Sequence, residues 1–327
     1  TGQLVLIVHH LAVDAVSWRI LVEDFNIAWA QHHSGQTITL PTGSTSFQRW
    51  AALLETHAHR PDVIQQADTW RQLAAPATLP PPQAGDTYTA AGHLTTALDV
   101  ETTRRLLTEV PAAFHTGVQE ILLIAYALAW TEFLGTGDAI GIDVEGHGRH
   151  DELARDVDLS RTVGWFTTKY PVTLSVAGPG WSRVTAGDPA LGPIIKAAKE
   201  QLRALPHPLT YGLLRYLTTE LTTPEPTIGF NYLGRLGAAA DLPGDLWGVS
   251  RDSLEVAAAA AAVPMPLSHS VELNAATIDT DTGPRLNATW TWAPSVLDHA
   301  QIGRLSQLWF DALTAISNHV RHGGGGL

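Results

Sequence analysis

Hydrophobic spacing divides the chain into short apolar runs and longer amphipathic stretches. Leu4 to Val8 is a continuous, partly β-branched run, the pattern of a buried strand, and it ends at His9-His10. Asp14 then opens a helical spacing carried by Val16, Ile20, Leu21, Phe25 and Ala28 to about His32, with Asp14 at the N-cap position. A second helix is predicted from Ser46 to His57, with Phe47, Trp50, Leu53 and Leu54 on one face, and a third from Pro61 to Leu73. Pro80-Pro81-Pro82 marks an exposed connection. Tyr88 to Leu98 reads as extended, and Asp99 caps a helix over Val100 to Val110. Thr116 to Leu134 carries the strongest helix signal and is stopped by Gly135 and Gly137. Ala139 to Val144 is a buried strand that runs into Glu145-Gly146-His147-Gly148-Arg149. Further strands are predicted over Tyr170 to Val176 and near 226–232, 268–278 and 286–292, with helices near 189–205 and 209–219. Pro294 to Val320 closes the pattern as a long helix with proline in its first turn, followed by a flexible tail at Gly323 to Gly326. Strands and helices alternate without a steady βαβ period, which predicts an α/β fold with a mixed sheet. A boundary between lobes is expected near 74–90.

Composition narrows the partners. At 327 residues the chain is long enough for about two domains of roughly 150 residues each. An apolar fraction of 45% and 11 tryptophans exclude a disordered chain. The net charge of −12 argues against nucleic acid and against an anionic membrane surface as partners. No apolar run reaches the ~18 residues of a membrane span. The chain has no cysteine, which excludes a disulfide framework, thiolate catalysis and a cysteine-type zinc site, and fits residence in the cytoplasm. The chain opens without Met or a basic region and runs straight into its first apolar run, as expected of a cut made inside a domain.

Candidate chemistry gathers at strand ends. Adjacent side chains on a strand point to opposite faces, so one of His9 and His10 is expected to face a cleft and the other the scaffold. Asp14 is placed to cap the following helix or to pair with an arginine. His9, His10 and Asp14 are metal ligands by type, but neighbouring histidines on a strand diverge and a His-x-x-x-His spacing is missing. Glu145, at the end of a buried strand, is a candidate acid/base carboxylate; its structural alternative is a helix cap or an ion pair with Arg149. The glycines around His147 allow a tight turn or a close approach to a ligand. Arg161 is a candidate to steady a carboxylate. Asn231 and Tyr232 offer an amide and a phenol at one strand end, although Tyr232 equally suits a satisfied core tyrosine.

Together, His9-His10-Leu-Ala-Val-Asp14-Ala-Val-Ser17-Trp18, Glu145-Gly-His-Gly-Arg149, Arg161-Thr-Val-Gly-Trp-Phe-Thr and Phe230-Asn-Tyr-Leu-Gly234 resemble the epimerization domain of nonribosomal peptide synthetases. Ser46-Phe-Gln-Arg-Trp50, Pro208 to Tyr216 and Ser268-His-Ser-Val-Glu-Leu-Asn274 add to the resemblance, which covers nearly the whole chain. That family belongs to the condensation-domain superfamily, built like chloramphenicol acetyltransferase. The resemblance implies a two-lobed α/β mixed-sheet sandwich whose N-terminal lobe is incomplete here, since family members carry strands and helices before the His-His motif. Residues 1–85 are then the remaining N-terminal lobe, 86–322 the C-terminal lobe with bridging segments, and 323–327 a glycine-rich tail or linker. Position 150 is His where the family usually has Glu, and position 15 is Ala where Gly is frequent.

The resemblance further implies an isomerase: L-to-D inversion of the Cα of an aminoacyl or peptidyl thioester on the phosphopantetheine arm of a carrier protein. No cofactor or metal is expected to be bound by the domain, and the chain has no Gly-rich phosphate loop or dinucleotide fingerprint. The implied partners are a carrier domain upstream in the same polypeptide and a downstream condensation module. His10, Glu145 and Tyr232 take the catalytic positions, with the choice between His10 and Glu145 as the base left open. His9, Asp14, Ser17, Trp18, Asn231, Arg149 and Arg161 are expected to orient or support, with Trp50 beside the channel. Carrier docking calls for a local basic or apolar patch, for which Arg104-Arg105 is a candidate. The rivals are a condensation domain using the same His10 and a non-catalytic carrier-binding scaffold.

Overall fold

Among the described residues six strands form one mixed sheet: β1 (Gly92–Ala97), β2 (Ile140–Gly146), β3 (Thr168–Leu174), β4 (Ile228–Leu236), β5 (Val271–Thr280) and β6 (Gly283–Trp292), in the order β1-β6-β5-β4-β2-β3. The computed structural model describes residues 4–43, 45–73, 79–176, 178, 180–236, 247 and 264–326. β2 pairs parallel to β4 and β4 parallel to β5, while the remaining pairs are antiparallel, so the expected α/β mixed sheet is present.

Side-chain alternation gives the sheet two unlike faces. Register places Val144 beside Phe230, Phe230 beside Leu273 and Leu273 beside Trp290, so one face is continuously apolar. Helices α7 (Val118–Leu134), α9 (Leu191–Arg203) and α11 (His299–Arg321) supply residues to the large core on that face. Ile121 to Trp130 is buried without interruption, as expected of a helix apolar on all sides, and Gly135 closes it in the left-handed region at φ 67.

The helices nearer the N-terminus are α1 (Ala15–His33), α2 (Phe47–Ala58), α3 (Pro61–Ile64) and α4 (Ala67–Leu73). Two smaller clusters join them to the rest. Trp50 packs with Leu159, Phe166 and Leu209, and Trp70 packs with Val63, Tyr211, Leu214 and Leu221. The remaining helices are α5 (Val100–Leu107), α6 (Glu109–Phe114), α8 (Trp181–Thr185) and α10 (Pro208–Gly212).

Several expectations change. Leu4 to Val8 is not a buried strand: none of the six strands pairs with it, and Ile7 is 89% exposed. The helix predicted from Pro61 divides into α3 and α4 around Gln65 and Gln66. The helix capped by Asp99 stops at Leu107, because Pro111 supplies no N–H for the Leu107 carbonyl and its ring crowds it. The stretch 209–219 is α10 followed by a π turn, Leu213–Leu217. The closing helix starts at His299 rather than Pro294, where Asp298 and Gln301 form a reciprocal capping box. The glycine end is held rather than free, with Gly326 N–H donating to Ala113 O at 2.8 Å. The boundary expected near 74–90 falls partly on residues 74–78, outside the described residues.

Candidate functional site

Arg149 is where the site is tied together. Gly148, at φ +63, passes so close to the next segment that a Cβ would lie 1.6 Å from Phe166 O. Only glycine fits there, and the turn sends Arg149 inward. Its guanidinium donates to both Asp14 carboxylate oxygens at 3.0 and 3.1 Å, to Leu159 O at 2.8 Å and to Thr162 O at 2.7 Å, and lies 4.0 Å from the centre of the Phe166 ring. The pair is nearly closed to solvent, with side chains 9% and 6% exposed. Asp14 also accepts from Ser17 N–H at 2.7 Å, capping α1, and from Phe166 N–H at 3.3 Å. Burial pushes its pKa up, but the hydrogen bonds from Ser17 and Arg149 outweigh this and hold it below the ordinary carboxylate value. Ser17 Oγ donates to Gly164 O and accepts from Gly164 N–H. Thus the pairing open to Arg149 goes to Asp14 and not to Glu145.

The histidine pair is arranged differently from a strand end. His9 Nδ1 accepts from Leu11 N–H at 3.1 Å and caps a 3₁₀ turn, His10–Ala12. His10 is exposed, with its ring 5.0 Å from that of Trp165. Trp165 in turn borders a cleft of about 190 Å³ lined by Phe47, Trp50, Leu54, Phe166, Thr168 and Leu209 among others. Thr168 is the register partner of Gly146, next to Glu145. Trp18 is half-buried in the first turns of α1.

The second face of the sheet is polar. Asp143 and Glu145 on β2 share it with Gly229 and Asn231 on β4 and with Glu272 and Asn274 on β5. A hydrogen-bond chain crosses it. Lys169 Nζ donates to Asp143 Oδ2 at 2.9 Å, and His269 Nε2 meets the same oxygen at 2.8 Å. His269 Nδ1 lies 3.4 Å from Glu272 Oε2, Asn274 donates to Glu272 at 2.6 Å, and Asn231 donates to Asn274 at 3.1 Å. Gly229 makes room for this, since a Cβ there would sit 2.7 Å from His269 Nδ1. Burial disfavours the charged His269, yet its bonds to Asp143 and Glu272 raise its pKa to about 9.

Glu145 sits at the edge of this network. It is half-buried, and no described residue hydrogen-bonds its carboxylate; its backbone O accepts from Gln119. Burial, then repulsion from Glu272, raise its pKa above the ordinary glutamate value. A carboxyl that holds its proton more readily than an ordinary glutamate is chemically suited to giving and taking protons.

Tyr232 does not join it. Alternation turns Tyr232 to the apolar face, where it packs on the large core and its hydroxyl lies 3.0 Å from Thr277 Oγ1, while Asn231 stays on the polar face. The amide and phenol expected together are therefore on opposite sides of the sheet. Arg161 pairs with Glu23 and Asp24 of α1. Arg104 and Arg105 both pair with Glu101 one turn earlier on α5, which leaves less free positive charge for docking than the sequence suggests. Among the described residues no single helix is long and apolar enough to cross a membrane. His269 and Glu272 lie in a motif quoted for the resemblance, but neither they nor Asp143 and Lys169 were given a role from the sequence. The signal was available in Val271-Glu272-Leu273-Asn274, whose period of two puts its polar pair on one face.

Comparison with known proteins agrees with this architecture. Residues 2–320 match the Condensation domain family. A linear gramicidin synthase from Brevibacillus parabrevis is 33% identical over 97% of this chain, and chondramide synthase cmdD of Chondromyces crocatus is 40% identical over 73% of it. The chain spans 6% of the length of each of these relatives. The crystal structure of the epimerization domain from the third module of tyrocidine synthetase B superposes with a TM-score of 0.77 at 29% identity, covering 96% of this chain and 68% of that one. The X-domain from teicoplanin biosynthesis, at 18% identity and a TM-score of 0.62 over 97% of this chain and 69% of its own, shares the fold. The chain belongs to the condensation-domain family, with the chloramphenicol acetyltransferase-like mixed α/β fold of the domains found in nonribosomal peptide synthetases.

Proposed function

We propose that this domain inverts the Cα centre of an aminoacyl or peptidyl thioester presented on the phosphopantetheine arm of a carrier protein. The observation that carries the proposal is Glu145: a half-buried carboxyl, free of hydrogen bonds to described residues, with a raised pKa, on the polar sheet face. Likeness to the tyrocidine synthetase epimerization domain supports it. In the proposed reaction a base takes the Cα proton. The C–H electron pair moves into the thioester carbonyl as an enolate, and an acid on the opposite face returns a proton to Cα. Glu145 and His10 are the proposed pair, with their order left to experiment. The Arg149–Asp14 pair holds the loop bearing His10 against the segment bearing Trp165. Proton transfer α to a thioester needs no electron carrier, so no bound cofactor is proposed. The partner is a carrier domain upstream in the same cytoplasmic polypeptide, with a condensation module downstream.

The test is solvent exchange. The chain is incubated with an L-aminoacyl-pantetheinyl carrier protein in heavy water, and the released amino acid is read for mass and chirality. Deuterium at Cα and a mixture of L and D forms are expected. Glu145→Gln should slow this by about 10²–10⁴-fold with an unchanged melting curve. Absence of deuterium, with amide formed when a second aminoacyl carrier is added, would replace epimerization by condensation.

A further inference from the structure

Just beyond Arg149, outside the chemistry assigned above, three side chains converge on one point. Glu152 Oε1 lies 2.7 Å from His150 Nδ1 and 3.2 Å from His207 Nε2, and the three ligand-type atoms all fall within 4.8 Å of one another. The two imidazoles meet edge to face with centroids 4.5 Å apart. Tetrahedral zinc with bonds of about 2.0–2.1 Å has ligand–ligand edges of about 3.3 Å, so a small opening of this triangle accommodates an ion. His150 and His207 are partly shielded, at 17% and 32% side-chain exposure, whereas Glu152 reaches solvent at 60% and leaves an entry side.

The protein-only alternative is a hydrogen-bonded trio, and it is poorly completed. Both rings direct a nitrogen at the same carboxylate oxygen. His207 Nδ1 is buried without a partner among the described residues, so Glu152 is the only hydrogen-bond partner of its ring there. His147 stacks on His150 at 5.1 Å, with its Nδ1 occupied by Arg149 N–H, and this fixes the orientation of the His150 ring.

We propose that His150, Glu152 and His207 bind a first-row divalent cation, zinc foremost, with water completing the coordination. Two imidazoles and one carboxylate suit zinc or cobalt better than magnesium or calcium, which prefer all-oxygen shells. The ion would clamp the 3₁₀ turn Asp151–Leu153, which follows Arg149, to the residue preceding α10. The assignment is independent of whether the domain epimerizes or condenses.

The test uses the chain without a histidine tag, stripped by chelator and titrated with Co²⁺. One equivalent should develop a visible absorption band that Zn²⁺ abolishes and excess Mg²⁺ does not, and Zn²⁺ should raise the melting temperature by mass action. His150→Gln and His207→Gln should each weaken binding by more than about tenfold, since even outer-shell changes cost about 10–100-fold. Glu152→Gln serves as the third variant, and all are checked by metal-free melting. The exposed pair His32 and His33, changed together to Gln, should leave binding unaltered. No cobalt band, or equal affinity in the His150 and His207 variants, would overturn the site.

Discussion

The two faces of the central sheet are built from the same strands, one residue out of step. Val144, Phe230, Leu273 and Trp290 are buried to 1% exposure or less beneath the long helices. Asp143, Asn231 and Glu272, among their immediate neighbours, form a hydrogen-bonded surface with Glu145 at its edge. A slip of one residue would exchange the two, so the apolar face fixes where the carboxylates stand. The polar face is less economical: Asp143 Oδ1 is buried without a hydrogen bond from any described residue. Leaving such an acceptor unsatisfied costs about 1–3 kcal/mol. That cost is set against a face that gathers several charged groups.

The sharpest way to break this comparison is on the core side. Trp290→Ala should remove about 3–5 kcal/mol of stability, measured by denaturant unfolding. Asp14→Ala should cost a similar or slightly smaller amount, about 3–5 kcal/mol, because it leaves the Arg149 guanidinium buried without its counter-charge. Asp14→Asn, which keeps the cap, should recover part of the loss. The polar face should show itself through pH. Folded His269 keeps its proton to about pH 9, while the unfolded chain releases it near 6.5. Its stabilisation is therefore full below about pH 6.5 and is lost as pH rises through 9. Melting temperature should fall across that window, and His269→Gln should flatten the fall. The smallest effect is expected at Tyr232→Phe. Losing the bond to Thr277 should cost about 1 kcal/mol and leave Cα proton exchange intact, as befits a side chain on the core face.

Much of this was legible in the sequence wherever local chemistry decides the outcome. Asp14 and Asp99 were recognisable as caps, and each side chain accepts from a backbone N–H three residues on. The unbroken apolar stretch of α7 and its glycine stop were equally plain. Strand faces were not, because residues such as Asn231 and Tyr232 look adjacent in sequence and are separated by the thickness of the sheet. Leu4 to Val8 has the composition of a strand, but strand formation needs a partner that composition does not reveal. The His150–Glu152–His207 convergence joins residues 55 apart and has no local signature.

The Arg149 hub also bears on how the molecule comes to exist in time. Its bond to Asp14 links positions 135 apart in the chain, and Ser17 and Gly164 are 147 apart. Contacts of such sequence separation close only after long loops have been drawn in, so they form late compared with hairpins such as β5–β6. The segment carrying His10, packed on the rest by few contacts and exposed at Leu4 to Val8, is thus expected to dock late during folding and to open early on unfolding. Amides around Asp14 and Gly164 should accordingly exchange before those of α7, and the domain should lose its candidate chemistry while its core is still intact.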